Sequence, residues 1–495
     1  MKRLFGWVTL TVALLWSGAA LADDKTEAQL LKRLEQQEER IRSLEQRLEA
    51  QGQAGSTASA AQGTAQDEQE QRLKVLERRL EIQDETQQSN VSSTPIVAAG
   101  TRGFSFRSPD GANQIRLRGV LQVDGRFMQD DAGLGAVDTW SITRARPIIE
   151  GTLANFIDFR FTPDFGQGRT VIQDAFITAR LSPVLRITAG KFKSPFGLER
   201  LQSATDIRFV ARAFPTSLVP NRDLGLAFEG DVAGGRFSYA FGYSNGVIDG
   251  GSSETLTDTD IDDDKELTVR LFTQPFALSD HFALRGLGFG IAAGRSDTTG
   301  TATQPFLPSF KTSPQQTFFR YRAGATPTIA DGERVRYSPQ LYYYLGSFGL
   351  LGEYVNVSQE VSRALASGAI NRGTINNTAW QLAVYWFLSG EEETYRGYAP
   401  NSSFKPGESW GAFELTARYH ELDIDDEAFF GGANSFADPA VSSSKASAIE
   451  LGLNWYLTQN LKWVLNYGVT RFEGGTPAGD RDDEKFVLTR FALSF

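Results

Sequence analysis

From about residue 103 to Phe495 the chain is written in short runs whose apolar and polar residues alternate one by one, separated by clusters of Gly, Asn, Asp and Pro. A period of two means strands, because successive side chains of a strand point to opposite faces. In the run from Gln114 to Met128, Ile115, Leu117, Leu121, Val123 and Phe127 share one face with Gly119 and Gly125. Gln114, Arg116, Arg118, Gln122, Asp124 and Arg126 share the other with Val120 and Met128. A soluble sandwich hides such an apolar face in a core, whereas a membrane barrel turns it to lipid and the polar face to a lumen, and alternation alone does not separate the two.

Three further features do. Runs of this kind recur near 114–128, 140–154, 156–164, 171–182, 184–192, 223–232, 236–244, 265–276, 282–296, 334–346, 348–359, 376–389, 409–423, 445–458, 461–474 and 484–495, which makes sixteen, an even number. The links at 155, 183, 233–235, 277–281, 347 and 459–460 are tight, and those at 129–139, 193–222, 245–264, 297–333, 360–375 and 424–444 are long; one link, 390–408, is long on the short side. Short turns on one rim and long loops on the other are the habit of outer-membrane barrels, the short turns facing the periplasm. The chain also ends in an amphipathic strand with Val487, Phe491, Leu493 and Phe495 on one face. The expectation is an all-β fold, a 16-stranded antiparallel transmembrane β-barrel over 103–495, closed so that lipid meets no open strand edge.

What precedes the barrel reads as address and arm. Residues 1–22 carry Lys2 and Arg3, an apolar stretch and an Ala20-Leu21-Ala22 exit, the pattern of a secretory signal peptide. Over 23–50, Leu30, Leu34, Ile41, Leu44 and Leu48, with Gln37 in the remaining core slot, fall at alternating steps of four and three, a short periplasmic coiled coil. Residues 51–102 read as a flexible spacer with a brief second heptad at Leu73, Leu76 and Leu80. No later stretch approaches the roughly 18 apolar residues of a spanning helix.

Charge narrows the function. The chain has no Cys, two His and a net charge of -10, which leaves little for a metal or haem site, implies no cofactor and argues against a nucleic-acid partner. His281 lies near an expected tight turn and His420 on a lumen-facing strand with no adjacent serine motif, so an enzyme is not expected. Against the overall acidity, residues 100–225 hold 17 Lys plus Arg and 12 Asp plus Glu. By parity Arg116, Arg118, Arg126, Arg144, Arg146, Arg160 and Arg180 face the lumen of the first four strands, beside Glu150, Asp158 and Asp174. Guanidinium groups in a narrow pore favour oxyanions through their bidentate fork. Residues 249–266, with eight acids and one Lys, form an acidic outer loop, either solvated or bridging divalent cations to lipopolysaccharide.

The run GKFKSPFGLERLQSATDIRFVARAFPTSLVPNR at 190–222 resembles the phosphate-selective porin family, the outer-membrane porins O and P, with support from RARPIIEG at 144–151, IQDAFIT at 172–178, NWYLTQNLKWVLNYG at 454–468 and the last strand. The resemblance implies a homotrimer of sixteen-stranded barrels in the outer membrane, each narrowed by an inward-folded third loop. It implies passive passage of small inorganic anions, with phosphate or polyphosphate uptake as the best reading. Carried over residue by residue, the family's central basic position falls on Arg200, followed by Ser203 and Arg212. Arg144 matches one of a pair of wall arginines, its neighbour here being Thr143. Arg320 and Arg322, in FFRYR, match a second arginine run, Lys193 stands where relatives hold an aromatic or acid, and Gln173 precedes Asp174 where relatives use an acidic wall residue. The alternatives are a general or organic-substrate porin, and a tether in which the coiled coil contacts the cell wall and the barrel is an anchor.

Overall fold

The computed structural model describes residues 39, 42, 43, 46, 72–82, 94–129, 137–253 and 263–495. Its contacts divide the chain into two units, Met1–Val91 and Ser92–Phe495. In the first, residues 39, 42, 43, 46 and 72–82 are helical, with Leu73, Leu76 and Leu80 exposed. The signal segment, the rest of the 23–50 heptads and residues 254–262 of the acidic loop lie outside the described residues.

The second unit is a closed antiparallel barrel. Its sixteen strands are β1 (Gln114–Met128), β2 (Thr139–Leu153), β3 (Ile157–Asp164), β4 (Val171–Ser182), β5 (Leu185–Lys193), β6 (Arg222–Val232), β7 (Phe237–Ser244), β8 (Glu266–Thr273), β9 (Leu287–Thr299), β10 (Thr328–Leu345), β11 (Phe348–Ala364), β12 (Ile370–Phe387), β13 (Ala412–Asp423), β14 (Ser443–Tyr456), β15 (Leu461–Thr476) and β16 (Glu484–Ser494). Each pairs with its sequence neighbours, and β16 returns to β1 in a register from Phe486 opposite Met128 to Ser494 opposite Val120. Phe495 finishes the seam: it exchanges backbone hydrogen bonds with Gly119 at 3.0 and 3.1 Å, and its ring lies where a side chain at 119 would project. Below this level β1 pairs with Gly103–Arg107, the second strand of a small hairpin whose first strand, Ile96–Gly100, lies in the stretch expected as spacer.

The parity expected of the strands holds. Leu121 is 42% exposed on the outer wall while its neighbour Gln122 is 0% exposed inside. Phe404, Trp410, Phe413, Trp455, Trp463 and Phe491 pack in sequence on the outside of β13–β16, a run of rings typical of a membrane-interface girdle.

The structure corrects the sequence reading in several places. The loop expected at 360–375 shrinks to 365–369, because β11 and β12 continue well past the apolar band. Within 360–375 their outward positions include Glu360, Arg372 and Thr374 while Val361 and Ile375 face inward, so polar and apolar faces change places and the apolar-out parity that marks a lipid-facing strand is gone. Residues Phe282–Arg285, expected to open a strand, form a helical turn before β9. The lumen, moreover, is not evenly wet. The inner wall of β11–β14 carries Val355, Val357, Ile375, Ala379, Leu422 and Ala448, which pack in one cluster with Phe214 and Leu218 of the 194–221 link and Phe310, Phe318 and Phe319 of the 300–327 link. Inward-folded loops thus give this arc an apolar core, and the open passage is pushed toward β1–β6.

Candidate functional site

The 194–221 link leaves β5 through Pro195-Phe196-Gly197, where a backbone φ of +79° suits glycine, and folds into the lumen. Its backbone would be left without partners there unless the wall supplied them. Glu353 on β11 accepts the N–H groups of Leu198 at 2.5 Å and Glu199 at 3.2 Å. Asn466 on β15 accepts Val210 N–H at 2.8 Å, and His420 on β13 accepts Phe214 N–H through Nδ1 at 3.2 Å. Lys462 donates to the carbonyls of Thr205 at 2.8 Å and Ile207 at 3.0 Å. His420, one of the two histidines, is therefore a fully buried loop anchor.

The anomalous long link on the short-turn rim, 388–411, takes part in the same construction. It turns up into the barrel and braces the loop from behind: Arg208 pairs with Glu393 at 2.9 Å and with Glu414 of β13 at 3.1 Å. Tyr395 closes the brace, its hydroxyl donating to Leu198 O at 2.7 Å while its carbonyl accepts from Gln202 Nε2 at 3.0 Å.

Held this way, the loop faces β1, β2, β4 and β6 across a two-lobed cavity of about 230 and 500 Å³, the lobes sharing Thr143, Arg144, Gln167, Arg200 and Arg212. The smaller lobe adds Arg146, Arg169, Lys193 and Arg222, and the larger adds Arg126, Lys311 and Arg490. The acids along it are already engaged. Asp164 holds Arg146 at 2.7 Å, Asp124 holds Arg490 through both oxygens at 2.7 Å, and Asp249 holds Arg336 at 2.6 Å. Asp174, just behind, holds Arg222 at 2.8 Å.

Four cations are held differently. Arg144 donates to the amide oxygen of Gln122 at 2.5 Å, Arg200 to Thr216 O, Arg212 to Gln202 O at 2.8 Å, and Lys193 to Leu201 O and Gln202 O at 3.2 and 2.6 Å. These acceptors are neutral, so they orient the cations without cancelling their charge. Arg200 Nε and Arg212 Nη1 have no hydrogen-bond partner at all. Burial, reinforced by the guanidinium groups of Arg212 and Arg222, pushes Arg200 down to about 9. Burial likewise pushes Arg212 down to about 10, Arg222 adding to the effect against the opposing pull of Glu199. An anion in the cavity would relieve this crowding of like charge.

Of the residues singled out from sequence, the structure brings Arg126, Arg144, Arg146, Lys193, Arg200 and Arg212 to this cavity. Arg116, Arg118 and Arg160 gather instead round Glu150 at 3.4, 3.3 and 2.6 Å, and Arg180 pairs with Asp158 at 2.7 Å, forming a separate half-exposed cluster at the short-turn mouth. Ser203 bonds Thr205 at 2.8 Å and lines neither lobe. Arg320 is exposed, and Arg322 ties the 300–327 link to the 424–442 link through Asp438 at 3.1 Å and Ser435 O at 3.1 Å. Neither lines the cavity. Sequence reasoning passed over Arg169, Arg222, Lys311 and Arg490. Arg490 was readable from the parity of the last strand, and Arg222 closes the 190–222 run; nothing in the sequence marked Arg169 or Lys311.

The model of the family phosphate-selective porin O and P matches residues 115–495. An uncharacterised protein of Caulobacter vibrioides is 24% identical over 390 residues, which cover 75% of this chain and 72% of that protein. Among solved structures, the outer membrane channel DcaP of Acinetobacter baumannii is 12% identical with a TM-score of 0.48, covering 80% of this chain and 100% of its own. The anion-selective porin from Comamonas acidovorans is 13% identical with a TM-score of 0.46, over 77% and 100%. The trimer form of OmpT of Vibrio cholerae is 11% identical with a TM-score of 0.48, over 78% and 100%.

Proposed function

The chain belongs to the phosphate-selective porin O and P family and is an outer-membrane β-barrel porin, and from that premise we propose that it is a passive, trimeric, anion-selective channel whose preferred solute is phosphate or a short polyphosphate. The observation that carries the reading is the set of four cations, Arg144, Lys193, Arg200 and Arg212, whose hydrogen bonds go to neutral oxygens while the neighbouring acids are spent on other partners. Each such charge attracts a monovalent anion at about 5 Å by ~1 kcal/mol in bulk water and ~3 kcal/mol at an effective dielectric of about 20. A cation meets the same terms with opposite sign. Arg116, Arg118 and Arg160 share the single carboxylate of Glu150, and this supports a second positive stretch toward the periplasmic exit.

The test is block of chloride current by added phosphate in planar bilayers. Saturable block at phosphate concentrations well below those of chloride supports the solute assignment. Additive currents without block leave a general anion pore, a reading that the larger lobe of about 500 Å³ favours.

A further inference from the structure

We infer that Gln122 is a specificity-determining positioning residue: a buried neutral amide that fixes Arg144 against the inward loop while leaving its full charge to the lumen. The inference rests on the anion-channel reading above and adds to it a residue that no motif marked.

Gln122 sits on the inner face of β1 with 0% exposure. Its Oε1 accepts from Arg144 Nη1 at 2.5 Å, and its Nε2 donates to the carbonyl of Ala204, at the tip of the loop, at 3.0 Å. The two partners fix which end of the amide is which, since a guanidinium only donates and a carbonyl only accepts. An amide is the side chain that meets both demands with no net charge. A carboxylate would accept from Arg144 but cancel it, and would set an oxygen against Ala204 O. An apolar residue would leave the wall arginine unaimed and the tip untied.

The surroundings sharpen the contrast. Asp124, two residues along the same face, is a carboxylate, and it is consumed by Arg490 of β16 in a bidentate pair. From the loop and the wall, Arg212, Arg146 and Arg490 are the other charges acting on Arg144. Arg146, on the same strand as Arg144, has an acid partner in Asp164. Two arginines one position apart on the inner face of β2 thus differ in charge delivered to the cavity because one faces an amide and the other a carboxylate.

The experiment compares wild type, Gln122→Glu, Gln122→Met and Arg144→Gln, purified as full-length folded barrels, by zero-current potential in a KCl gradient and by phosphate block of chloride current. Gln122→Glu lowers the anion-to-cation permeability ratio to that of Arg144→Gln at pH 7. It regains anion preference as the pH falls through the carboxylate range, by more than wild type gains over the same range, whereas Arg144→Gln does not. Gln122→Met keeps the sign of selectivity but weakens phosphate block by about 10-fold, through loss of the charge-assisted hydrogen bond. Wild-type behaviour in both Gln122 variants, or a loss in Gln122→Glu with no recovery in acid, overturns the inference. An absence of anion preference in wild type instead overturns the channel reading on which it stands.

Discussion

Replacing Arg200 by Gln removes one charge from the point where the two lobes meet and leaves the loop otherwise anchored. The guanidinium gives up one hydrogen bond, to Thr216 O, while Glu353, Asn466 and His420 continue to hold the loop backbone. For an anion about 5 Å away, the loss lies between ~1 kcal/mol with water-like screening and ~3 kcal/mol at an effective dielectric near 20. That range corresponds to roughly 4-fold to a few hundred-fold weaker phosphate occupancy. A value near the top identifies a desolvated filter, and one near the bottom a wide, wet lumen. Arg200→Glu doubles the change in charge and should carry the pore toward cation preference. The assay is the half-blocking phosphate concentration for chloride current, with the zero-current potential recorded in the same membranes. Arg322→Gln is the control, because its guanidinium is tied to Asp438 away from the cavity. Unchanged block and selectivity in both Arg200 variants would refute the placement of the filter, as would an equal effect of Arg322→Gln.

Other consequences concern the scaffold. Arg208→Ala leaves Glu393 and Glu414 buried without their cation and should destabilise the folded barrel by ~3–5 kcal/mol, measured as a lowered denaturant midpoint for the heat-modifiable form. Glu353→Ala deprives Leu198 and Glu199 N–H of their acceptor and should raise current noise and the frequency of subconductance steps, with selectivity retained. Gly119→Val sets a branched side chain into the ring of Phe495 and should slow barrel assembly, read as persistence of the unfolded band. Deletion of residues 25–90 should leave single-channel conductance unchanged; a tether would instead show weakened envelope integrity.

The barrel was legible because lipid enforces the rule that sequence reading depends on. Wherever Leu121, Phe241 or Ile449 must face hydrocarbon, the neighbouring position must not, and parity survives in the text. Past the apolar band that constraint lapses, so the upper reaches of β11 and β12 read as loop. The apolar arc of the lumen was hidden for a related reason. Phe214 and Phe318 become neighbours only after two loops fold inward, and a period of two says nothing about what fills a barrel. The 388–411 link was visible as an exception to the short-turn rule, but its role depends on Arg208 meeting Glu393 across a long sequence separation.

The site was half legible on the same logic. Parity and the 190–222 run point to arginines, yet a list of arginines does not distinguish one held by a carboxylate from one held by an amide or a carbonyl. Arg146 and Arg144 stand two residues apart on one face, and one is held by a carboxylate, the other by an amide. Arg322, which looks like a pore residue in FFRYR, is a staple between loops. The chemistry of the cavity lies in the acceptors, and those are set by tertiary structure.

The sign of the charge that the lumen presents to a moving ion decides whether the four cations act as a filter. Purified full-length protein in a planar bilayer separating dilute from concentrated KCl at neutral pH should give a zero-current potential of the polarity set by chloride, growing as ionic strength falls and screening weakens. A potential of the polarity set by potassium, or none at low salt, would contradict it.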